Sequence, residues 1–238
     1  MVSLPRLYPI LDTSCFRDAI SLLEAANELA AAGCTLIQYR NKFGSARQML
    51  EEACELRARL DEGIKLIMND RADLCLAAGF DGLHVGQDDL SPEAARRIIG
   101  VPPPEIATSA AKAAEREMPQ TAALKRCATL NLSSQGRWLG VSTHNPEQLA
   151  LADQTSADYL AIGPVFATSS KANPDPVVGL EGVRRARELT RKPLVAIGGI
   201  TRANARSAIE AGADAVAVIS DLLPDPRKSA EEFFELLR

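Results

Sequence analysis

Short runs rich in Val, Ile, Leu and Ala alternate along this chain with longer stretches whose apolar residues recur at helical spacing. The short runs are LYPIL (7–11), TLIQYR (35–40), KLIMN (65–69), GLHVG (82–86), RWLGVS (137–142), YLAIG (159–163), PLVAIG (193–198) and AVAVIS (215–220). They carry little internal polarity, as strands buried on both faces do. The stretches between them resemble FRDAISLLEAANELAAAG, where Gly33 stands as a helix stop. Gly79 and Gly212 repeat that role, each leading within two residues to an Asp and then a strand.

Eight such units predict one α/β domain spanning residues 1–238, a closed parallel (β/α)8 barrel of the TIM type. The rival is an open doubly wound sheet, which centres phosphate binding on a glycine-rich first turn. Here that turn reads DTSCF, so the barrel is the prediction. Residues 101–136 break the rhythm, and their three consecutive prolines cannot lie inside a helix. They are expected to form a surface insertion between the fourth helix and the fifth strand. A lid and a homo-oligomer contact are the other readings.

Composition narrows the class. The chain has 46% hydrophobic but only 4% aromatic residues, which suits aliphatic helix-on-sheet packing. A net charge of −4 with interspersed signs argues against a broad nucleic-acid surface, so basic clusters are read as local sites. Cys15, Cys34, Cys54, Cys75 and Cys127 have no CxxC spacing, and reduced thiols in a cytoplasmic protein are expected. No stretch has the organisation of a signal peptide or the length of a membrane span.

In a barrel of this kind the loops after the strand C-termini build the active site. Polar residues gather at those ends, whereas the opposite ends look plain. Gln38, Arg40 and Lys42 alternate after strand two and share a face if the extended backbone persists. Asn69 and Asp70 follow strand three, and Asp88 and Asp89 follow strand four. Ser142, Thr143 and His144 close strand five, and Thr168-Ser169-Ser170-Lys171 lie beyond strand six. Gly198-Gly199 follow strand seven, and Ile219-Ser220 end strand eight. Arg40, Lys42 and Lys171 could hold an oligophosphate with Gln38 and Asn69 as neutral donors. Asp70 and Asp89 beside a phosphate suit Mg²⁺, although Asp70 could instead cap the next helix. The loops after strands seven and eight commonly take a phosphate on backbone N–H groups. His84, inside a strand, reads as a structural histidine, and His144 is left open. Two anion pockets on one face imply group transfer between two phosphorylated small molecules.

The motifs QYRNK (38–42), ND (69–70), HVGQDD (84–89), GVSTHN (140–145), GPVFATSSK (163–171), AIGGI (196–200) and VIS (218–220) together resemble thiamine-phosphate synthases. The resemblance covers the chain except residues 101–136. It implies joining of 4-amino-2-methyl-5-hydroxymethylpyrimidine diphosphate to a thiazole phosphate, with release of pyrophosphate. By that similarity Gln38, Tyr39, Arg40, Asn41, Lys42, Asn69, Ser142 and Lys171 would hold the pyrimidine diphosphate. Arg40, Lys42 and Lys171 would be the catalytic cations. Thr168, Ser169, Ser170, Gly199, Ile219 and Ser220 would bind the thiazole phosphate, and Asp70 and Asp89 would bind Mg²⁺. Tyr39 and Asn41 depart from the family's usual residues. A thiazole tautomerase on the same fold and a non-catalytic binder of thiamine intermediates are the rival functions.

Overall fold

Strand alternation sorts the apolar residues into two separate clusters, and that sorting closes the sheet. The computed structural model describes residues 2–100, 136–168 and 175–238. Its strands are β1 (Leu7–Asp12), β2 (Leu36–Arg40), β3 (Lys65–Asn69), β4 (Gly82–Val85), β5 (Trp138–Thr143), β6 (Tyr159–Ile162), β7 (Leu194–Ile197) and β8 (Ala215–Val218). All pair in parallel in sequence order, and β8 returns to β1 through Leu7↔Val216 to close the barrel. One cluster, with Tyr8, Ile10, Leu36, Ile67, Tyr159, Val195 and Ala217, fills the barrel interior. The other lies between the strands and the surrounding helices.

Among the described residues the helices are α1 (Ala19–Ala31), α2 (Ala46–Arg59), α3 (Ala72–Ala77), α4 (Pro92–Ile99), α5 (Pro146–Asp153), α6 (Gly179–Leu189), α7 (Ala205–Glu210) and α8 (Pro226–Leu236). Their starts obey local chemistry. Asp18, Ser45, Ser91, Asn145 and Asp225 each accept a hydrogen bond from a first-turn backbone N–H. Gly33, Gly79 and Gly212 all adopt positive φ, as expected of residues that turn a helix end into a strand.

Seven of the eight strands differ from the sequence reading by one or two residues at an end. The eighth strand ends at Val218, and Ser220 opens a short 3-10 turn, Ser220–Leu222. The N-terminal ends of the strands are also not plain. Asp81, Asp158 and Asp214 each precede a strand and accept a backbone N–H from the first two residues of the neighbouring strand: Leu66, Leu139 and Leu194, at 2.9, 2.7 and 2.8 Å. Each is also paired with an arginine from a helix, Arg57, Arg96 and Arg187 respectively. The device locks strand register; the Gly-x-Asp joints at 79–81 and 212–214 mark two of these aspartates, but their partners come from tertiary pairing. The expectation for residues 101–136 falls, up to residue 135, outside the described residues.

Candidate active site

A cavity of about 380 Å³ opens at the C-terminal ends of the strands. The strand pleat decides which residues of QYRNK reach it. Leu36 packs inside the barrel and Ile37 outside, so Gln38 and Arg40 project inward to line the cavity, with Lys42 beyond them. Tyr39 and Asn41 point the other way. The Tyr39 hydroxyl donates to Glu52 of α2, Asn41 Nδ2 donates to the same carboxylate at 3.2 Å, and Asn41 Oδ1 accepts from the Phe43 and Gly44 N–H groups. Their side chains therefore shape the loop that carries Lys42 and do not line the cavity.

The cationic side is held by carboxylates. The register pairs Asp12 with Arg40, and their side chains form an ion pair. Asp12 is almost wholly buried and also accepts from the Ser14 N–H and hydroxyl at 3.0 and 2.7 Å. Nothing in the sequence singled out this aspartate. Lys42 pairs in turn with Asp70.

Asp70 is not a helix cap. It sits at φ 61°, in the left-handed region, and Arg71 stands at the start of α3 with no side-chain cap bond. A non-glycine residue held there costs on the order of 1–2 kcal/mol, and such residues cluster at functional sites. Burial, and then the neighbouring Asp89 carboxyl, push Asp70 up to about 6, with Lys42 opposing. Burial pulls Asp89 upward too. The proton shared with Asp70, the Gly86 N–H at 2.8 Å and Lys42 outweigh it and hold Asp89 below the ordinary carboxylate value. Next to this pair Asn69 lines the cavity, and its Nδ2 is buried with no hydrogen-bond partner among the described residues.

The other side of the mouth is built from backbone. Gly198 and Gly199 have φ of 96° and 63°, and a Cβ on Gly199 would lie 2.4 Å from the Ala167 carbonyl oxygen. Only glycine allows the loops after β6 and β7 to approach so closely. Asn204 fixes the turn by accepting from the Thr201 N–H at 2.8 Å and donating to the Gly199 carbonyl at 2.9 Å. Arg202 and Asp221 tie this turn to the one containing Ser220, at 3.0 Å. Asn204 and Asp221 had no sequence signal beyond ordinary loop polarity.

Thus Gln38, Arg40, Lys42, Asn69, Asp70, Asp89, Ser142, Thr168, Gly199, Ile219 and Ser220 surround one cavity. Ser169, Ser170 and Lys171 lie outside the described residues. His144 also lines the cavity, and its Nδ1 donates to the Gly163 carbonyl at 2.7 Å, with Asp175 at 3.5 Å. His84 is the structural histidine that its place inside a strand implied, and it also reaches the site. It is buried, yet it borders the cavity floor and bonds Ser142 Oγ through Nε2 at 2.8 Å.

Comparison with known proteins follows the same outline. The family profile for thiamine monophosphate synthase matches residues 7–124 and 122–222. A thiamine-phosphate synthase of Koribacter versatilis is 53% identical over 99% of this chain and 97% of its own. The chain belongs to the thiamine-phosphate synthase family. A second synthase, from Chloroflexus aurantiacus, is 39% identical over 90% of this chain and 83% of its own. Among solved structures, a thiamine phosphate pyrophosphorylase from Pyrococcus furiosus superposes with TM-score 0.74 at 29% identity. That match covers 98% of this chain and 95% of the other. The synthase family is one of transferases, and this chain is an enzyme of that class. Among the described residues no helix is long and apolar enough to cross a membrane.

Proposed function

We propose that this cavity joins the aminopyrimidine diphosphate to the thiazole phosphate, giving thiamine phosphate and pyrophosphate. The observation that carries the reading is the gathering of Arg40, Lys42, Asn69, Asp70 and Asp89 at one mouth. The buried, unpartnered Asn69 Nδ2 there is a donor that wants an acceptor. A diphosphate supplies one.

Arg40 and Lys42 spread the charge that grows on the leaving pyrophosphate, where preorganised cations are most effective. The C–O bond breaks with its electron pair staying on pyrophosphate, and the aminopyrimidine stabilises the methylene cation left behind. The cavity then holds the thiazole nitrogen in line, and its lone pair forms the new C–N bond. Thr168, Gly199, Ile219 and Ser220 are assigned to the thiazole phosphate. By the same family resemblance Ser169, Ser170 and Lys171 complete the two anion sites.

No group of three or more His, Cys, Asp or Glu suited to a metal occurs among the described residues. Two carboxylates still fit Mg²⁺, which takes one or two carboxylates plus substrate phosphates and water. Asp70 and Asp89 would hold it. When bound, Mg²⁺ supplies positive charge against the diphosphate.

Cys34 and Cys75 are buried thiols pushed up to about 12 by burial, inert groups consistent with the cytoplasmic placement we favour. A homo-oligomer built through residues 101–136 stays a proposal, tested by light scattering before and after their deletion. The activity is tested by pyrophosphate release in the presence of both substrates and Mg²⁺. Isomerisation of the thiazole phosphate alone would instead indicate a tautomerase, and ligand-induced stabilisation without turnover a binder.

A further inference from the structure

A row of five polar side chains crosses the barrel interior beneath the cavity. Gln38 Nε2 donates to the Tyr8 hydroxyl at 2.9 Å, and the Tyr8 and Tyr159 hydroxyls are 2.9 Å apart. Tyr159 meets His84 Nδ1 at 3.1 Å, and His84 Nε2 meets Ser142 Oγ at 2.8 Å. The row joins strands β2, β1, β6, β4 and β5. Its ends, Gln38 and Ser142, line the cavity, whereas Tyr8 and Tyr159 lie below it with 1% and 0% of their surface exposed.

The barrel is shaped to admit this row. Gly140 sits in register between His84 and Tyr159, and a Cβ there would stand 2.1 Å from Tyr159 Cζ and 2.5 Å from His84 Nδ1. The missing side chain lets two residues from non-adjacent strands meet. Three buried polar groups in an apolar interior are costly unless each is satisfied, and here each has two partners.

The proton count then restricts the row to one direction at a time. All three side chains are buried and bonded only to uncharged side chains, so all three are neutral. A neutral imidazole has one donor and one acceptor nitrogen, and each phenol has one proton to give. If the Gln38 amide donates to Tyr8, then Tyr8 donates to Tyr159, Tyr159 to His84 Nδ1, and His84 Nε2–H to Ser142. The Ser142 proton is then left for the cavity. Turning the Gln38 amide over reverses every link, and Ser142 can offer the cavity only an acceptor.

We propose that Tyr8, Tyr159 and His84 are positioning residues that couple the hydrogen-bonding sense of Gln38 to that of Ser142. The pyrimidine therefore meets two cavity groups set together, not one at a time. This rests on the assignment of Gln38 and Ser142 to the pyrimidine diphosphate. Tyr159 never touches substrate and acts only through its two ends.

The test is a double-mutant cycle on the full-length enzyme with both substrates and Mg²⁺. Tyr159→Phe keeps the ring and removes one hydroxyl, so the packing around Gly140 survives. It should lower kcat/KM for the pyrimidine diphosphate about tenfold and leave the thiazole phosphate KM within about twofold. In a Ser142→Ala background the same change should cost no more than about twofold, because its route is already cut. Equal losses in both backgrounds, or a matching loss in thiazole phosphate KM, would overturn the coupling and leave a packing role. Tyr8→Phe interrupts the row at another link and should reproduce the pattern if Tyr159→Phe does not fold; additive losses there overturn it equally. Absence of pyrophosphate release by the unsubstituted protein would overturn the assigned reaction itself, a result distinct from additivity in an active enzyme.

Discussion

The two ends of this barrel use the same residue types for opposite purposes. At the N-terminal end Asp81, Asp158 and Asp214 are each engaged by a backbone N–H and an arginine. At the C-terminal end Asp70 and Asp89 lean on one another, Asp70 takes a left-handed backbone, and Asn69 keeps a donor unspent. Charge alone does not mark function. Incomplete satisfaction does, because a ligand can complete it.

Substitutions at the two ends should therefore fail differently. The largest effect is expected from Asp89→Ala, which should reduce pyrophosphate release at least about 100-fold. Its melting temperature should stay close to that of the parent. An unchanged rate would remove Asp89 from the metal site. Asp81→Ala, at the other end, should cost about 2–3 kcal/mol in denaturant unfolding because the Leu66 N–H loses its acceptor and Arg57 and Lys65 lose their counter-charge. The fraction that remains folded should turn over normally. A catalytic defect without loss of stability would blur the division between the ends.

The comparison can be sharpened within the rim, where one side uses charged side chains and the other backbone held by Asn204. Asn204→Ala should raise the thiazole phosphate KM about tenfold and leave the pyrimidine diphosphate KM within about twofold. Equal shifts in both would show that the turn serves the whole cavity.

The smallest expected effect is on pH dependence. The proposed Mg²⁺ site needs Asp70 ionised, and burial and Asp89 push Asp70 up to about 6, so Mg²⁺ affinity should weaken as pH falls through that value. Between pH 7 and 5.5 the Mg²⁺ concentration for half-maximal activity should rise several-fold, and excess Mg²⁺ should restore the rate. A midpoint insensitive to pH would mean that Asp70 does not take part.

How much could be read in advance follows from what each feature depends on. The barrel was legible because its strands are apolar runs and its helices stop at glycines such as Gly33 and Gly212. Gln38, Arg40 and Lys42 were legible through alternation, and the same alternation should have excluded Tyr39 and Asn41, which the family motif carried along. Asp12 was not legible, because its role comes from a register that sets it beside Arg40. His84 read as structural and is, but only the folded barrel shows that Gly140 leaves room for it to meet Tyr159. Asn204 and the basal aspartates act on backbone groups distant in sequence, and no periodicity encodes that.

The most direct test of the shared rim is pyrophosphate release with the pyrimidine diphosphate, the thiazole phosphate and Mg²⁺ each varied independently. The expected result is stoichiometric pyrophosphate and thiamine phosphate only when all three are present. A folded protein that releases no pyrophosphate from that mixture would contradict it.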